Sequence, residues 1–183
     1  VRACALGLGG PASSVTNPGK AYLKLGIAYV EAADLRSALS CFETAQRHLA
    51  PTDLLHVLSS IETARAEIKL AKACDYSKVE RNLVRVATML LGAADARNAF
   101  IFSDCCTLLA EIQNQKRDLA SAQFWRRRAI SIQTDIGPPT TLAATLRTFS
   151  KLLVERESFL EAREVLRGAE AILSDCESDQ GVQ

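Results

Sequence analysis

The sequence predicts an all-α fold built from about four antiparallel helix pairs. Apolar residues make up 48% of the 183-residue chain and aromatic residues only 5%, so the interior consists mainly of Ala, Leu, Val and Ile. The apolar side chains recur at intervals of three and four residues, which is the period of an α-helix. The segment DLRSA at 34–38 returns almost unchanged as DLASA at 118–122, which indicates internal repeats.

The first helix pair is the most clearly patterned part of the chain. Its apolar side chains fall on one face of each helix. Gly26 in the first helix and Ala38 in the second are small residues at the points where two helix backbones would approach closely, and larger residues flank them. The two faces comprise Tyr22, Leu25, Gly26 and Tyr29 in the first helix and Ala38, Phe42 and Ala45 in the second.

Capping and helix-breaking residues set the predicted boundaries. Asn17-Pro18 opens the first helix, since proline is well tolerated in the first turn, and Asp34 caps the second. Thr52 or Asp53 caps the third helix, Gly92 ends the fourth, and the Gly-Pro-Pro run at 137–139 separates the sixth and seventh. The predicted helices cover 18–32, 35–49, 53–73, 77–91, 95–115, 118–134, 140–156 and 159–173.

The segment 22–51 resembles a tetratricopeptide repeat, whose signature is aromatic-x2-Leu-Gly-x2-Tyr, then Ala-x3-Phe-x2-Ala, then Pro. A permitted residue type occupies each signature position, with Pro51 about one residue late. The resemblance implies a right-handed α-solenoid of about four antiparallel helix pairs. Its repeats have about 40 residues rather than the standard 34. The position of the small residue in the second helix of each pair recurs at this spacing, at Ala38, Val79, Ala122 and Ala162, with Val79 replacing the small residue in the second pair.

Three segments follow from this organisation. Residues 1–17 are rich in Gly and Ser, which predicts a flexible lead-in or the end of a preceding helix. Residues 18–173 form the TPR-like repeat domain. Residues 174–183 are polar and acidic, which predicts a disordered tail.

The resemblance implies a protein–protein interaction scaffold that binds a peptide or a helix of a partner protein in its concave groove. Ile27 stands where the chaperone-binding subfamily has the Asn of its carboxylate clamp, which argues against a chaperone co-adaptor. In the family, groove positions lie on the first helix of each repeat. Transferred to this chain, they are Lys20, Leu23, Ile27, Val30 and Glu31; Arg65, Ile68 and Lys72; Asp104, Thr107, Glu111, Asn114 and Gln115; and Ala144, Arg147, Lys151, Val154 and Glu155.

Two other functions remain open at this point. The chain could be a structural subunit or a fragment of a longer TPR solenoid in a multiprotein assembly, for example in cell division, and could self-associate through its terminal repeats. Residues Val165, Leu166, Ala169 and Ile172 favour this alternative, because the last predicted helix keeps an apolar face with no obvious cap after it. The chain could also be a regulator that senses a small signalling peptide.

No pattern in the sequence indicates catalysis, a cofactor or a metal. His48 and His56 have no nucleophile or carboxylate at a catalytic spacing. Cys105 and Cys106 are adjacent on a helix and diverge too far to bind one ion, so we expect one packed and one half-exposed thiol. The protein is therefore not expected to be an enzyme.

Charge and hydropathy narrow the choice of partners. The net charge is +1, which argues against nucleic acid and anionic membranes. The densest basic run, at 126–128, points in three directions on a helix and so forms no single flat patch. We expect Arg126, which occupies the position of Phe42, to snorkel or to pair with an acidic neighbour. No apolar run approaches the length of a transmembrane helix, and we expect reduced cysteines in an intracellular protein, cytoplasmic or nuclear.

Overall fold

The structure is a computed structural model, and it describes residues 17–70, 76–91 and 96–180 of the chain. These residues are all-α, as predicted, and within them the structure has eight helices. In chain order the helices are α1 (Pro18–Glu31), α2 (Leu35–His48), α3 (Leu54–Leu70), α4 (Tyr76–Leu90), α5 (Ala96–Gln115), α6 (Leu119–Ile136), α7 (Pro139–Glu155) and α8 (Phe159–Gln180).

Where they fall on described residues, the predicted boundaries agree with these helices except at the C-terminus. The predicted end of the third helix at 73 and the predicted start of the fifth at 95 lie outside the described residues. The predicted disordered tail begins at residue 174, whereas α8 continues to Gln180. No Pro or Gly interrupts the chain between 174 and 180, so nothing in the backbone stops the helix there. The predicted lead-in, apart from Asn17, and the predicted stop at Gly92 lie outside the described residues.

The chain divides into two compact units, Val1–Ser59 and Ser60–Gln183, with the boundary inside α3. In the first unit, α1 packs against α2. In the second, α5 packs against α6 and α7 against α8, while contacts of α4 with α5 and of α6 with α7 join successive pairs. The helices thus pack as consecutive antiparallel pairs, which is consistent with a helical-repeat solenoid.

The turns of three helix pairs, α1–α2, α5–α6 and α7–α8, share one backbone geometry. Ala33, Arg117 and Glu157 each have a positive φ, at 59°, 64° and 60°. The next residue in each turn donates its backbone N–H to a carbonyl five residues earlier, as Asp34 does to Tyr29 at 2.9 Å. This pattern ends one helix and starts the next at once. It shows in the backbone the repetition that the sequence predicts.

Aspartate caps explain why the two echoed segments start helices. Asp34 accepts a hydrogen bond from the Ser37 backbone N–H at 3.1 Å, and Asp118 does the same with Ser121 at 3.1 Å. The serine hydrogen bonds lower the pKa of both carboxyl groups, because they stabilise the ionised form. At the other predicted helix starts, Asn17 caps α1 and Asp53 accepts from the Leu55 N–H.

Small residues allow the helices to approach closely, as the sequence predicts. A Cβ placed on Gly26 would lie 2.6 Å from Cδ1 of Phe42, whose side chain is fully buried. In the second unit the corresponding cluster joins α6, α7 and α8 and consists of Ala122, Phe149, Leu152, Leu153 and Ala162. Across the described ranges, no helix is long and apolar enough to cross a membrane.

Candidate functional site

A cleft of about 680 Å³ lies among α5, α6 and α7 in the second unit. Helices α5 and α7 form its walls and α6 forms its floor. The lining is dominated by polar and charged side chains. It consists of Asp104, Thr107, Glu111, Asn114 and Gln115 from α5, Arg126 and Gln133 from α6, and Thr141, Ala144, Thr145, Thr148, Lys151, Leu152 and Glu155 from α7.

The cleft brings together the groove positions predicted on two helices. All five predicted residues of α5 line it, including Thr107 and Glu111. From α7, the predicted residues Ala144, Lys151 and Glu155 line it. Arg147 and Val154 are exposed but are not part of the lining.

The groove positions predicted on α1 and α3 are not in this cleft. Lys20, Ile27 and Glu31 are exposed on α1, and Val30 is half-buried. Leu23 and Ile68 are buried and contribute to the core. Both side chains are apolar, and their burial is favourable because it removes apolar surface from water. They therefore offer no surface to a partner.

Two predicted groove positions remain, Arg65 on α3 and Lys72. Arg65 is half-buried and forms ion pairs with Asp104 at 3.5 Å and with Glu62 at 3.7 Å. Burial raises the pKa of Asp104, and the Arg65 guanidinium partly offsets that rise. Lys72 lies outside the described residues. Arg65 therefore has an ionic role at the edge of the cleft, where it holds one of the lining carboxylates.

Two buried polar side chains on α6 form the floor of the cleft. The buried face of this helix consists of Ala122, Arg126, Ala129 and Gln133, at spacings of four, three and four residues. In α2 the equivalent face consists of Ala38, Phe42 and Ala45. Arg126 therefore takes the place of a core phenylalanine. Contrary to our expectation that it snorkels or pairs with an acid, it is only 7% exposed and forms no ion pair within 4 Å with any residue that the structure describes.

The burial of Arg126 has an electrostatic cost. Burial lowers the pKa of its guanidinium, because the charged form loses hydration, and the Glu111 carboxylate partly offsets that effect. Gln133 is 2% exposed; its Nε2 donates to the Ser103 hydroxyl at 2.8 Å, which fixes the orientation of the amide. The floor thus presents a cation and an oriented amide inside a concave surface.

The cleft collects most of the unsatisfied polar atoms. Five buried side-chain polar atoms have no hydrogen-bond partner among the residues that the structure describes. Four of them belong to lining residues: Thr107 Oγ1, Asn114 Oδ1, Arg126 Nε and Gln133 Oε1. A buried polar group without a partner costs about 1–3 kcal/mol. Water or a bound molecule in the cleft must therefore supply partners for these atoms.

The other two arginines of the basic run point away from this site, as predicted from their spacing. Arg127 pairs with Glu161 of α8 at 2.6 Å. The guanidinium of Arg128 lies over the ring of Phe102, 5.6 Å from its centroid. The three consecutive arginines therefore have three separate environments, and only Arg126 enters the cleft.

The cysteine pair is inert packing. Cys105 and Cys106 are both fully buried, so the expected half-exposed thiol does not exist. Helix α5 contacts both α4 and α6, which covers it on more than one face. Burial raises the pKa of Cys105 well above its usual range and that of Cys106 to about 12. No group of residues suited to a metal ion occurs in the described segments, and Cys41, Cys105, Cys106 and Cys176 are free.

The transfer of groove positions by register could not find the residues on α6, because it considers only the first helix of each repeat. A signal for them exists in the sequence. Arg126 and Gln133 are seven residues apart and occupy two consecutive large positions of an otherwise Ala-rich buried face. Polar residues at such positions are uncommon in a helical core and indicate a special environment. Thr141, Thr145 and Thr148 were missed because their first-turn and mid-helix positions on α7 carry no distinguishing pattern.

No protein-family model matches this chain, and no curated protein sequence matches it. The fold and the cleft are therefore the basis for any inference about function.

Proposed function

We propose that this protein is a TPR-like interaction scaffold that binds a peptide or helix of a partner protein in the cleft among α5, α6 and α7. The observation that carries the proposal is the cleft itself. It is concave, and eight of its fourteen lining residues stand at positions that face ligands in the family which the sequence resembles. It also holds four buried polar atoms that lack partners among the described residues. A bound peptide can supply both the donors and the acceptors that these atoms require.

The dimensions of the cleft suit a peptide. Its α5 wall runs from Asp104 to Gln115, a length of about 16 Å at the helical rise. An extended chain of about five residues covers that distance. The mixed lining, with Thr107 and Asn114 on one wall and Lys151 and Glu155 on the other, matches the alternating donors and acceptors of a peptide backbone.

Charge reversal on α7 tests the proposal. Short random peptides displayed on phage are selected against the full chain, and the affinities of the synthetic consensus peptides are measured by fluorescence anisotropy. We expect Lys151→Glu to change the dissociation constant by about tenfold, because Lys151 lines the cleft and its charge acts at short range.

Arg147→Glu is the matched control for that experiment. It makes the same charge change on the same helix, but Arg147 is exposed outside the lining. We expect less than about a twofold effect from it, since screened surface charges act weakly at a distance. If no peptide is enriched, or if the two substitutions have equal effects, the cleft is not the peptide-binding surface.

A second candidate function is that of a structural subunit in a longer helical array. The observation that favours it is at the start of α8, where Phe159 is 61% and Leu160 78% exposed. Large apolar side chains exposed at the start of one helix favour a surface that another protein covers. The partner in this case would be a further helix pair or a second copy of the chain.

Light scattering separates this candidate from the first. An array subunit should show an apparent mass that rises with protein concentration, because the exposed apolar side chains pair. Replacing both Phe159 and Leu160 by serine should abolish that rise and leave helicity unchanged. A wild-type mass that stays at the monomer value across the concentration range argues against the array.

A further inference from the structure

The buried guanidinium of Arg126 defines the chemistry of the cleft more narrowly. We propose that Arg126 binds the carboxylate of an acidic side chain within the partner peptide, so that the cleft selects peptides with one Asp or Glu flanked by neutral or basic residues. This inference rests on the proposed peptide-binding function and adds the identity of the group that is recognised.

Arg126 is a buried cation. The residue is 7% exposed, and its Nε has no hydrogen-bond partner among the described residues. A guanidinium presents five N–H donors in a planar fork that fits a carboxylate with two parallel hydrogen bonds. A buried charge of this kind is stable only when it is paired or solvated. Arg126 lines the cleft, so its side chain borders the space that an incoming group would enter.

Glu111 and Arg126 both line the cleft. The Glu111 carboxylate influences Arg126 electrostatically, but the two groups are not within ion-pairing distance of 4 Å. Glu111 therefore reduces the electrostatic cost of the buried cation without occupying its donors. A carboxylate that enters the cleft can form the direct contact that Glu111 does not form.

Arg126 lies part-way along the cleft. On α6, Arg126 lies between Gln123, which accepts a hydrogen bond from Arg156 just after α7, and Gln133, which contacts Ser103 on α5. Lining residues continue beyond it in both directions, towards Gln133 and towards Gln115. A group that reaches Arg126 therefore belongs to the interior of a peptide that passes along the cleft, rather than to a chain end that stops there.

The rest of the lining holds more carboxylates than cations. Besides Arg126, the lining holds one cation, Lys151, and three carboxylates, those of Asp104, Glu111 and Glu155. Carboxylates on both walls repel further acidic residues of a peptide. The lining thus favours a single acidic residue at Arg126 and neutral or basic residues on either side of it. This combination of attraction and repulsion is how an interface obtains specificity.

The experiment uses the full chain and the peptides selected from the random phage library. We expect one position of the consensus to be Asp or Glu. A synthetic, C-terminally amidated consensus peptide should bind wild type at least about tenfold more tightly than the same peptide with Gln or Asn at that position. An equal affinity of the amidated peptide and its free-acid form is expected, because the recognised carboxylate is on a side chain.

Two protein variants complete a double-mutant cycle. In Arg126→Gln, the acidic peptide and its amide analogue should bind with equal affinity, because the charged partner is gone. In Arg127→Gln, the full tenfold difference should remain, since Arg127 pairs with Glu161 outside the cleft. The comparison of the two peptides on wild type needs no variant, and so does not depend on how well Arg126→Gln folds.

The outcomes distinguish the two proposals. Consensus peptides that lack an acidic position, that bind only with a free C-terminal carboxylate, or that keep their acid preference in Arg126→Gln overturn the role of Arg126. If such peptides are still sensitive to Lys151→Glu, the peptide-binding function stands without it. If the library yields no binder at all, both proposals fall together.

Discussion

Gly26→Ala is expected to destabilise the first unit by about 2 kcal/mol. The added Cβ would lie 2.6 Å from Cδ1 of Phe42, which is closer than carbon atoms approach without strain. The ring is fully buried and cannot move into solvent. Overpacking of this kind costs about 1–3 kcal/mol or more. The gain in helix propensity from Gly to Ala, about 1 kcal/mol, acts in the opposite direction and is too small to compensate for a clash with an aromatic ring.

Hydrogen exchange followed by mass spectrometry localises the effect. Amides of α1 and α2 should exchange roughly thirtyfold faster in Gly26→Ala, since 2 kcal/mol of local stability corresponds to that ratio. Gly168→Ala is the matched control, because a Cβ at Gly168 on α8 meets nothing within 4 Å. The same change should there stabilise the helix by about 0.5–1 kcal/mol. Equal stabilisation by both substitutions would show that α1 and α2 do not nest as closely as described.

Arg126→Met is expected to stabilise the second unit by about 1–3 kcal/mol. The substitution removes a charge whose hydration is lost on burial, and leaves an unbranched apolar side chain of similar length in a core position. In α2 the buried Phe42 occupies the equivalent position, so an apolar side chain is compatible with this position of a helix pair. The same substitution should remove binding of acidic peptides. Stability and function are thus expected to change in opposite directions, as they often do at binding sites.

Urea denaturation monitored by the fluorescence of Trp125, the sole tryptophan of the chain, measures this effect in the helix concerned. Arg127→Met is the control, since it removes an exposed ion pair with Glu161 that contributes at most about 1 kcal/mol. A loss of stability in Arg126→Met would contradict the account. It would mean that the guanidinium is fully satisfied in the folded protein and has no donors to offer a ligand.

The sequence predicts the fold well because its local signals and its long-range signals agree. Asn17, Asp34 and Asp118 satisfy free backbone donors of helix starts. The sequence predicts the cap at Asp34 and helix starts at Asn17-Pro18 and near Asp118. The contact of Gly26 with Phe42 follows from a pattern of small and large residues that only a close helix crossing explains. The sequence does not predict the end of α8, because a polar and acidic composition indicates disorder, whereas no Pro or Gly breaks the helix before Gln180.

The cleft is less accessible to prediction from the sequence. Its α5 wall, including Thr107 and Glu111, was identified because those residues repeat the register of α1. Arg126 and Gln133 are not predicted as site residues, because the way neighbouring helices cover α6 decides whether its buried face borders a cleft. Leu23 and Ile68 stand at predicted groove positions but are buried. The position in the repeat sets the direction in which a side chain points, whereas its burial depends on how neighbouring helices pack around it.

Photo-crosslinking of a bound peptide tests the central claim, that the cleft among α5, α6 and α7 is the binding site, most directly. A consensus peptide with a benzophenone side chain beside its acidic position is irradiated with the full chain, and the modified residues are identified by mass spectrometry. We expect the modifications to fall within 104–115 and 141–155, the two walls of the cleft. Modification confined to α8, at the exposed residues Phe159 and Leu160, would contradict the claim. It would place the partner on the alternative surface at the start of α8.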